Sequence, residues 1–181
     1  MVVLRREIGS RDPFNADLVV EWANSLMSAA ELRFRLATLP EPQNREQHLT
    51  KAMEESAQAL KMLDQCIKDN PEEMKFIIMR IDAVTDSANI RMAVEKNDGA
   101  KTILVETLPL AEKLARATDT WDDRHRLATL HAQLGQLQQG TDEGRRQAGL
   151  ALELARRLLA DRPDSADTKN FIKALEPLAS E

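Results

Sequence analysis

Aromatic residues, glycine and proline are scarce in this sequence. Of 181 residues only 3% are aromatic, tyrosine is absent, and six glycines and seven prolines occur. Sheet proteins draw on β-branched and aromatic runs separated by turn residues, so this scarcity argues against a β-sheet. The chain is instead rich in alanine, leucine, glutamate, glutamine, arginine and lysine, which are strong helix formers. We therefore predict an all-α fold.

Cysteine, long apolar runs and excess positive charge are also missing or nearly so. Cys66 is the single cysteine, so no intramolecular disulfide indicates an oxidising compartment, and the expected localisation is cytoplasmic. No apolar run approaches the roughly 18 residues of a membrane span. The net charge of −5 argues against nucleic acid as a partner, because nucleic-acid binding needs a basic face. We expect neither a membrane nor a nucleic acid as partner.

Apolar periodicity predicts about seven antiparallel helices separated by short breaks. The first four span about 14–39, 44–68, 71–95 and 100–117. The fifth opens at Thr120 with a capping box, the sixth follows the break at Gly140, and the last starts around Pro163.

Local signals refine three of these boundaries. Asn70 and Pro71 are predicted to be the N-cap and the first residue of the third helix. The stretch 97–99, Asn-Asp-Gly, predicts a turn before the fourth helix. Pro109 is expected to bend or interrupt that helix, because proline lacks the amide hydrogen that the helix interior needs.

The third helix is apolar over most of its surface. One stripe consists of Ile77, Ile78, Ile81, Val84 and Ala88. A second stripe consists of Phe76, Met79, Ala83 and Ile90. A surface helix of a compact globule has a single apolar stripe, so this pattern predicts a helix inside a layered stack of helix pairs.

Part of the N-terminal sequence recurs near the C-terminus. At an offset of about 150 residues, Leu4, Arg6, Ile8, Pro13, Ala16 and Asp17 correspond to Leu154, Arg156, Leu158, Pro163, Ala166 and Asp167. Pro13, Pro71, Thr120 and Pro163 are taken to mark helix starts, at intervals of roughly 58, 50 and 43 residues. Each interval holds two helices, so we predict one helical-repeat domain over 1–181.

This plan resembles the tetratricopeptide repeat, with helices longer than usual. The family motif has Leu and Gly in its first helix, Ala in its second and Pro at the joint, and the matching residues are Leu134, Gly135, Ala151 and Pro163. The sequence DPFNAD at 12–17 is similar to the inter-repeat joint of long arrays in bacterial proteins, including some that follow a serine/threonine kinase domain. The resemblance implies a right-handed α-α superhelix and a protein–protein interaction scaffold, within a larger bacterial signalling protein.

Both ends of the chain have expected roles in such an array. Residues 1–12 are expected to be a partial repeat, with Leu4 and Ile8 packed near Trp22 or Leu26, so that the chain starts inside a repeat and is a fragment of a longer protein. Residues 164–178 are expected to form a capping helix. Its apolar side carries Phe171, Ile172, Leu175 and Leu178.

No residue pattern points to chemistry. His125 and His131 lie six apart, whereas two metal ligands on one helix face are three or four apart. Cys66 lies in an apolar-periodic helix and is expected to be a buried structural thiol. Adjacent carboxylates such as Asp122 and Asp123 suit first-turn capping better than acid–base catalysis. The sequence also has no glycine-rich phosphate-binding loop. We therefore predict that the protein is not an enzyme and that it has no catalytic residue, no cofactor and no metal site.

Two functions remain open at this stage. The first is a non-catalytic interaction module whose partner is a protein or peptide. The alternative is a helical regulatory or dimerisation domain that senses a small molecule in a pocket between helices, for which a closed apolar cavity would be the sign. The sequence leaves a homo-oligomer open.

The resemblance also indicates where a partner would bind, because first helices line the concave surface of such arrays. The polar residues of three first helices are expected to form one continuous strip. They are Glu21, Asn24, Ser28, Glu31 and Arg35, then Lys75, Asp82, Asp86 and Asn89, then His125, Thr129, Gln133 and Gln136.

Overall fold

A computed structural model of the protein describes residues 16–41 and 43–180. Seven α-helices make up most of this described part, and no strand occurs in it. The all-α prediction is therefore confirmed. In chain order the helices are α1 (Ala16–Ala37), α2 (Arg45–Asp69), α3 (Met74–Ala93), α4 (Asn97–Thr118), α5 (Trp121–Leu137), α6 (Asp142–Asp161) and α7 (Ala166–Ser180).

The chain divides into two compact units, Met1–Lys96 and Asn97–Glu181, called unit 1 and unit 2 below. Within unit 1, α2 packs against both α1 and α3, and α1 has a smaller contact with α3. Within unit 2, α6 packs against both α5 and α7, α5 has a smaller contact with α7, and α4 packs against α5. Each unit thus contains one helix flanked by two others. The single domain expected over 1–181 stays a prediction.

The joints before α3 and α7 share one backbone geometry. Asn70 ends α2 with φ −138° and ψ 70°, and Arg162 ends α6 with φ −133° and ψ 77°. The amide of Asn70 donates to the carbonyl of Cys66 at 2.9 Å, and that of Arg162 donates to Leu158 at 3.1 Å. The residue before Pro71 and the residue before Pro163 therefore have the same local backbone conformation.

The predicted helix start at Pro71 is wrong. The backbone amide of Asn70 closes the preceding helix, so Asn70 is a C-cap and not an N-cap. Its carbonyl then accepts the amide of Glu73 at 3.2 Å, which makes a turn around Pro71. As a result α3 begins at Met74 and α7 begins at Ala166, each three residues after its proline.

The turn predicted at 97–99 is also wrong, and of the bend or interruption predicted at Pro109 the interruption is wrong. The turn lies earlier, where Glu95 adopts φ 58° and the amide of Lys96 donates to Arg91 at 2.9 Å, as in a Schellman motif. Consequently Asn97 is already the first residue of α4, which runs unbroken past Pro109. Proline removes the hydrogen bond to the carbonyl of Val105. Because Val105 lies on the solvent side, 49% exposed, water can satisfy that carbonyl.

Helix α3 is buried along both predicted stripes. Seven of the nine stripe residues are buried, and Ile78 and Met79 are partly buried. Its Ser87 hydroxyl lies 3.3 Å from that of Ser56 on α2, both fully buried. Helix α3 contacts α2 and, over a smaller area, α1, so the prediction that α3 contacts neighbours on two sides is confirmed within unit 1. A separate ion pair joins α1 to α2, where Arg33 Nε is 2.9 Å from the nearer carboxylate oxygen of Glu55.

Helix α7 is apolar on one side, as expected of the predicted cap. Leu175 is 2% exposed and packs with Ala151 and Ala155 of α6. Phe171 and Ile172 pack against the same cluster, whereas the polar residues on the other side of α7 are exposed. The predicted partial repeat at 1–12, with Leu4 and Ile8, lies outside the described residues.

The predicted cap of α5 is present, and α6 begins with a cap of the same kind. The Thr120 hydroxyl accepts the amide of Asp123 at 3.2 Å, and the Thr141 hydroxyl accepts the amide of Gly144 at 3.0 Å. The Asp123 carboxylate in turn accepts the hydroxyls of Thr118 at 2.7 Å and Thr120 at 2.6 Å. Asp123 is only 4% exposed, so this buried acid fastens the end of α4 to the start of α5.

We expect Asp123→Asn to lower the free energy of unfolding at neutral pH by about 2 kcal/mol, the usual cost of losing hydrogen bonds to a charged group. Burial raises the pKa of Asp123, but hydrogen bonds from Thr120 and Thr118 and the nearby Arg126 outweigh it and lower the pKa. A lowered pKa stabilises the fold above the unfolded-state value, and the contribution disappears as pH falls through the folded-state value. As the pH falls below 3.8, the free energy of unfolding measured with urea should therefore decrease less in the variant than in the parent protein.

Asp122→Asn is the matched control for this prediction. Asp122 lies in the same first turn and is exposed, so the two variants make the same change of charge near the same helix terminus. Losses of equal size in the two variants would contradict the role given to the buried carboxylate.

Candidate functional site: a groove between α1 and α3

The polar residues predicted for the first and third helices are exposed. All nine carry solvent-accessible side chains in unit 1, and they are Glu21, Asn24, Ser28, Glu31, Arg35, Lys75, Asp82, Asp86 and Asn89. Seven of them line two adjoining cavities between α1 and α3. We call these two cavities together the α1–α3 groove.

The first cavity of the groove has a volume of about 230 Å³. Its exposed rim consists of Asn24, Ser28 and Glu31 from α1 with Asp82 and Asp86 from α3. The less exposed base consists of Met27, Leu63, Met79 and Ala83. Leu63 belongs to α2, so all three helices of unit 1 build this cavity.

The second cavity adjoins the first, because Glu31 and Asp86 line both. It has a volume of about 170 Å³ and adds Arg35 and Asn89 at the exposed surface. Phe34 and Ile90 supply its apolar part, and they pack in the cluster of Ala30 and Ala52. The groove is therefore a polar rim over an apolar base along both cavities.

Carboxylates dominate the charge of the groove. Burial by the groove walls raises the pKa of Asp86, and the negative charges of Glu31 and Asp82 raise it further. Glu31 is itself paired with Arg35, whose guanidinium lies 2.5 Å from the Glu31 carboxylate. The negative charges of Glu31 and Asp82 thus act on Asp86.

Two predicted residues of unit 1 lie outside the groove. The Lys75 ammonium group is 2.9 Å from the carboxylate of Asp17 on α1 and 3.6 Å from that of Glu73. Glu21 accepts the hydroxyl of Ser25 through its backbone carbonyl at 2.8 Å. Lys75 therefore links the first turns of α1 and α3, and these ion pairs are structural contacts.

The predicted residues of the fifth helix lie in a different environment. The ring of His125 stacks on Trp121, with centroids 5.1 Å apart, and meets Phe171 of α7 at 5.8 Å. His125 and Thr129 are half-buried, Gln133 is 7% exposed, and only Gln136 is fully on the surface. Between α5 and α7, Phe171 thus occupies the side of α5 on which the polar strip was expected.

Trp121 also anchors the joint before α7, a role that sequence reasoning missed. Its indole nitrogen donates to the carbonyl of Leu158 at 3.2 Å, and the Arg162 guanidinium lies over its ring at 4.2 Å. The available signal was the four-residue spacing of Trp121 and His125, which places two rings on one helix face.

A second cavity-forming region lies in unit 2, among α4, α5 and α6. It has a volume of about 390 Å³ and is lined by Glu112, Ala115, Arg116, Asp119, Arg124, Leu127, Leu154 and Arg157. Arg124 is held at 2.5 Å from the carboxylate of Asp161. Five of the eight lining residues are charged, so this cleft is not the closed apolar cavity that a small-molecule sensor was expected to have.

Other candidate groups have structural surroundings. Cys66 is 5% exposed, and burial, followed by the nearby charge of Asp69, raises the pKa of its thiol. The predicted burial of Cys66 is confirmed. His131 is 5% exposed, and its Nδ1 lies 2.6 Å from the side-chain oxygen of Gln147 on α6. Among the residues described, no three His, Cys, Asp or Glu side chains are grouped so as to hold a metal ion.

Comparisons with known proteins add no further information. No protein-family model, no curated protein and no solved structure matches the chain. None of the helices in the described ranges is both long and apolar enough to cross a membrane. Function must therefore be inferred from the chemistry of this chain's own residues.

Proposed function

We propose that the protein is a non-catalytic scaffold, similar to tetratricopeptide-repeat proteins, that binds a segment of a protein or peptide in the α1–α3 groove. The observation that carries this proposal is the groove itself. Residues chosen from sequence as partner-binding line an open depression over an apolar base. Polar groups over apolar surface can fix the orientation of a bound chain and bury its side chains at the same time.

The repeated organisation supports the proposal. In each unit one helix is flanked by two others that also touch each other, and the joints before α3 and α7 share one backbone geometry. In an array of helix pairs this arrangement brings first helices side by side, and α1 and α3 are such neighbours. A groove between first helices is the surface that helical-repeat proteins use for extended ligands.

The groove also offers suitable hydrogen-bonding groups. Asn24 projects from α1 and Asn89 from α3, and both side chains are exposed. Amide side chains can donate to and accept from a peptide backbone. Placed on opposite sides of one groove, they could hold an extended segment from both edges.

The proposal predicts that Asn24→Ala combined with Asn89→Ala weakens partner binding by roughly 1 to 3 kcal/mol through lost hydrogen bonds. The partner would be captured from a lysate of the source organism, identified by mass spectrometry and purified. Calorimetry with the purified partner would then compare the affinities. Thermal unfolding should barely change, because both side chains are exposed.

Gln47→Ala combined with Gln58→Ala is the matched control. Both glutamines are exposed on α2 and neither lines the groove, so the same number of amides is removed elsewhere in unit 1. Undiminished affinity in the Asn24 and Asn89 variant would move the binding site away from the groove.

A further inference from the structure

Carboxylates face the groove from both of its main walls. Glu31 belongs to α1, while Asp82 and Asp86 lie one turn apart on α3. Glu31 and Asp86 line both cavities, so they stand where the two cavities meet. The strongest negative charge of the groove is therefore near its middle.

Positive charge in the groove is limited. Arg35 is the one cation among the described residues that line the two cavities, and it is already paired with Glu31. Three carboxylates and one guanidinium thus line the groove. Burial raises the pKa of Asp86, and repulsion from Glu31 and Asp82 raises it further, so the three negative charges oppose one another in the free protein. A bound cation would relieve that repulsion.

The base of the groove suits the stem of a long basic side chain. Met27 and Met79 are half-buried there, and Leu63 is 1% exposed beneath them. Lysine and arginine lay their aliphatic stems along apolar surface while the charged head remains among polar groups. Methionine is flexible and adapts to stems of different shape.

A bare metal ion is a poorer candidate for this position. A divalent cation needs several oxygen ligands that converge at about 2.0–2.6 Å. No group of three acidic, histidine or cysteine side chains in the described part of the chain is arranged to hold such an ion. The separated carboxylates instead suit an organic cation, which spreads its charge over several hydrogen-bond donors.

We infer that the segment bound in the α1–α3 groove is basic and places a lysine or arginine side chain over Met27 and Met79, with its charged group between Glu31, Asp82 and Asp86. This inference rests on the proposed function and specifies the chemistry of its partner. Acidic partners are disfavoured, because each added carboxylate would meet the same three charges.

The test uses three fluorescein-labelled peptides and fluorescence anisotropy. One peptide consists of Gly-Leu-Lys repeats, and the other two carry Gln or Glu in place of each Lys. We expect the Lys peptide to bind and the Glu peptide not to bind. A triple variant should bind the Lys peptide about tenfold or more weakly, because it loses the charge pairs with the peptide. It combines Glu31→Gln, Asp82→Asn and Asp86→Asn.

A matched variant separates the groove from the general negative charge of the protein. Glu106→Gln, Glu153→Gln and Glu176→Gln make the same change of net charge at exposed positions of unit 2. This control should bind the Lys peptide within about twofold of the parent, since these exposed charges do not line the groove and are screened by salt. Circular dichroism of the triple groove variant and of the single variant Asp86→Asn shows whether each is folded. If the triple variant is poorly folded, the loss of affinity is measured with Asp86→Asn instead.

The outcomes distinguish the inference from the function on which it rests. Equal binding of the three peptides, no binding of the Lys peptide, or equal losses in the two triple variants would overturn the basic ligand. If the captured partner still depends on Asn24 and Asn89 in that case, the groove remains the binding site and only its charge preference is wrong. If the partner binds all groove variants with the same affinity as the parent protein, the proposed function is wrong.

Discussion

Replacing Gly144 with alanine is expected to lower the free energy of unfolding of unit 2 by about 3 kcal/mol, the cost of forcing an atom into a packed site. Gly144 lies in the first turn of α6, against the backbone at the end of the preceding segment. A Cβ atom there would overlap the carbonyl oxygen of Gln138 and lie 2.6 Å from its carbon. These obstacles are backbone atoms, so no side-chain rotation can remove them. Urea unfolding of the parent and the variant measures the difference.

Gly149→Ala is the control on the same helix. A Cβ at Gly149 meets no heavy atom within 4 Å. Alanine forms helix better than glycine by about 1 kcal/mol, so this variant should be at least as stable as the parent. The two substitutions are chemically identical and should have opposite effects. A Gly144 variant as stable as the Gly149 variant would show that the close approach to Gln138 is not present.

Ending the chain before Asp164 is expected to cost more than about 5 kcal/mol, because the buried Leu175 and the partly buried Phe171 and Ile172 are lost at once. The deletion removes α7 and with it Leu175, which is 2% exposed against Ala151 and Ala155. It also removes Phe171, which covers His125. A loss of this size is comparable to the whole stability of a small domain. Light scattering and thermal unfolding should show aggregation and an early transition.

A shorter truncation provides the control. Ending the chain after Glu176 removes only 177–181 and keeps Phe171, Ile172 and Leu175 in place. This protein should behave nearly like the parent. If the chain without α7 were as monodisperse and heat-resistant as the parent, α7 would not be the cover of α6 that its packing indicates.

Local features of the fold could be predicted well from sequence. The two apolar stripes of α3 follow directly from helical periodicity, and so does the one-sided pattern of α7. The cap at Thr120 was also predictable, because a hydroxyl can reach an amide three residues later without help from the rest of the chain. These features depend on residues that are close in sequence.

Helix boundaries near proline and glycine were harder to predict. Asn70 favours a cap in either direction, and the bond from its amide to Cys66 decides that it closes α2. Glu95 adopts a left-handed backbone that usually needs glycine, so the end of α3 carries no sequence signal. Pro109 is tolerated where the residue that loses its hydrogen-bond donor, Val105, is 49% exposed. In each case the backbone hydrogen bonds of neighbouring residues decide the outcome.

The candidate site was predictable in unit 1 and not in unit 2. Periodicity alone places Asn24, Glu31 and Asp86 on exposed helix faces, and the structure has them there. The same reasoning placed His125 and Gln133 on an exposed face, but α7 packs beside α5 and Phe171 meets His125. Periodicity places Phe171 on the apolar side of α7, but it does not show that this side packs beside His125 of α5.

The buried thiol of Cys66 on α2 allows the opening of unit 1 to be measured by chemical labelling. Cys66 is the sole cysteine of the sequence, it is 5% exposed, and its raised pKa keeps it protonated and slow to react. An alkylating reagent can therefore consume it at an appreciable rate only when α2 separates from its neighbours. The labelling rate, divided by that of the unfolded chain, gives the fraction of molecules that are open at any moment. The native cysteine therefore reports how often unit 1 opens, and no additional probe needs to be engineered.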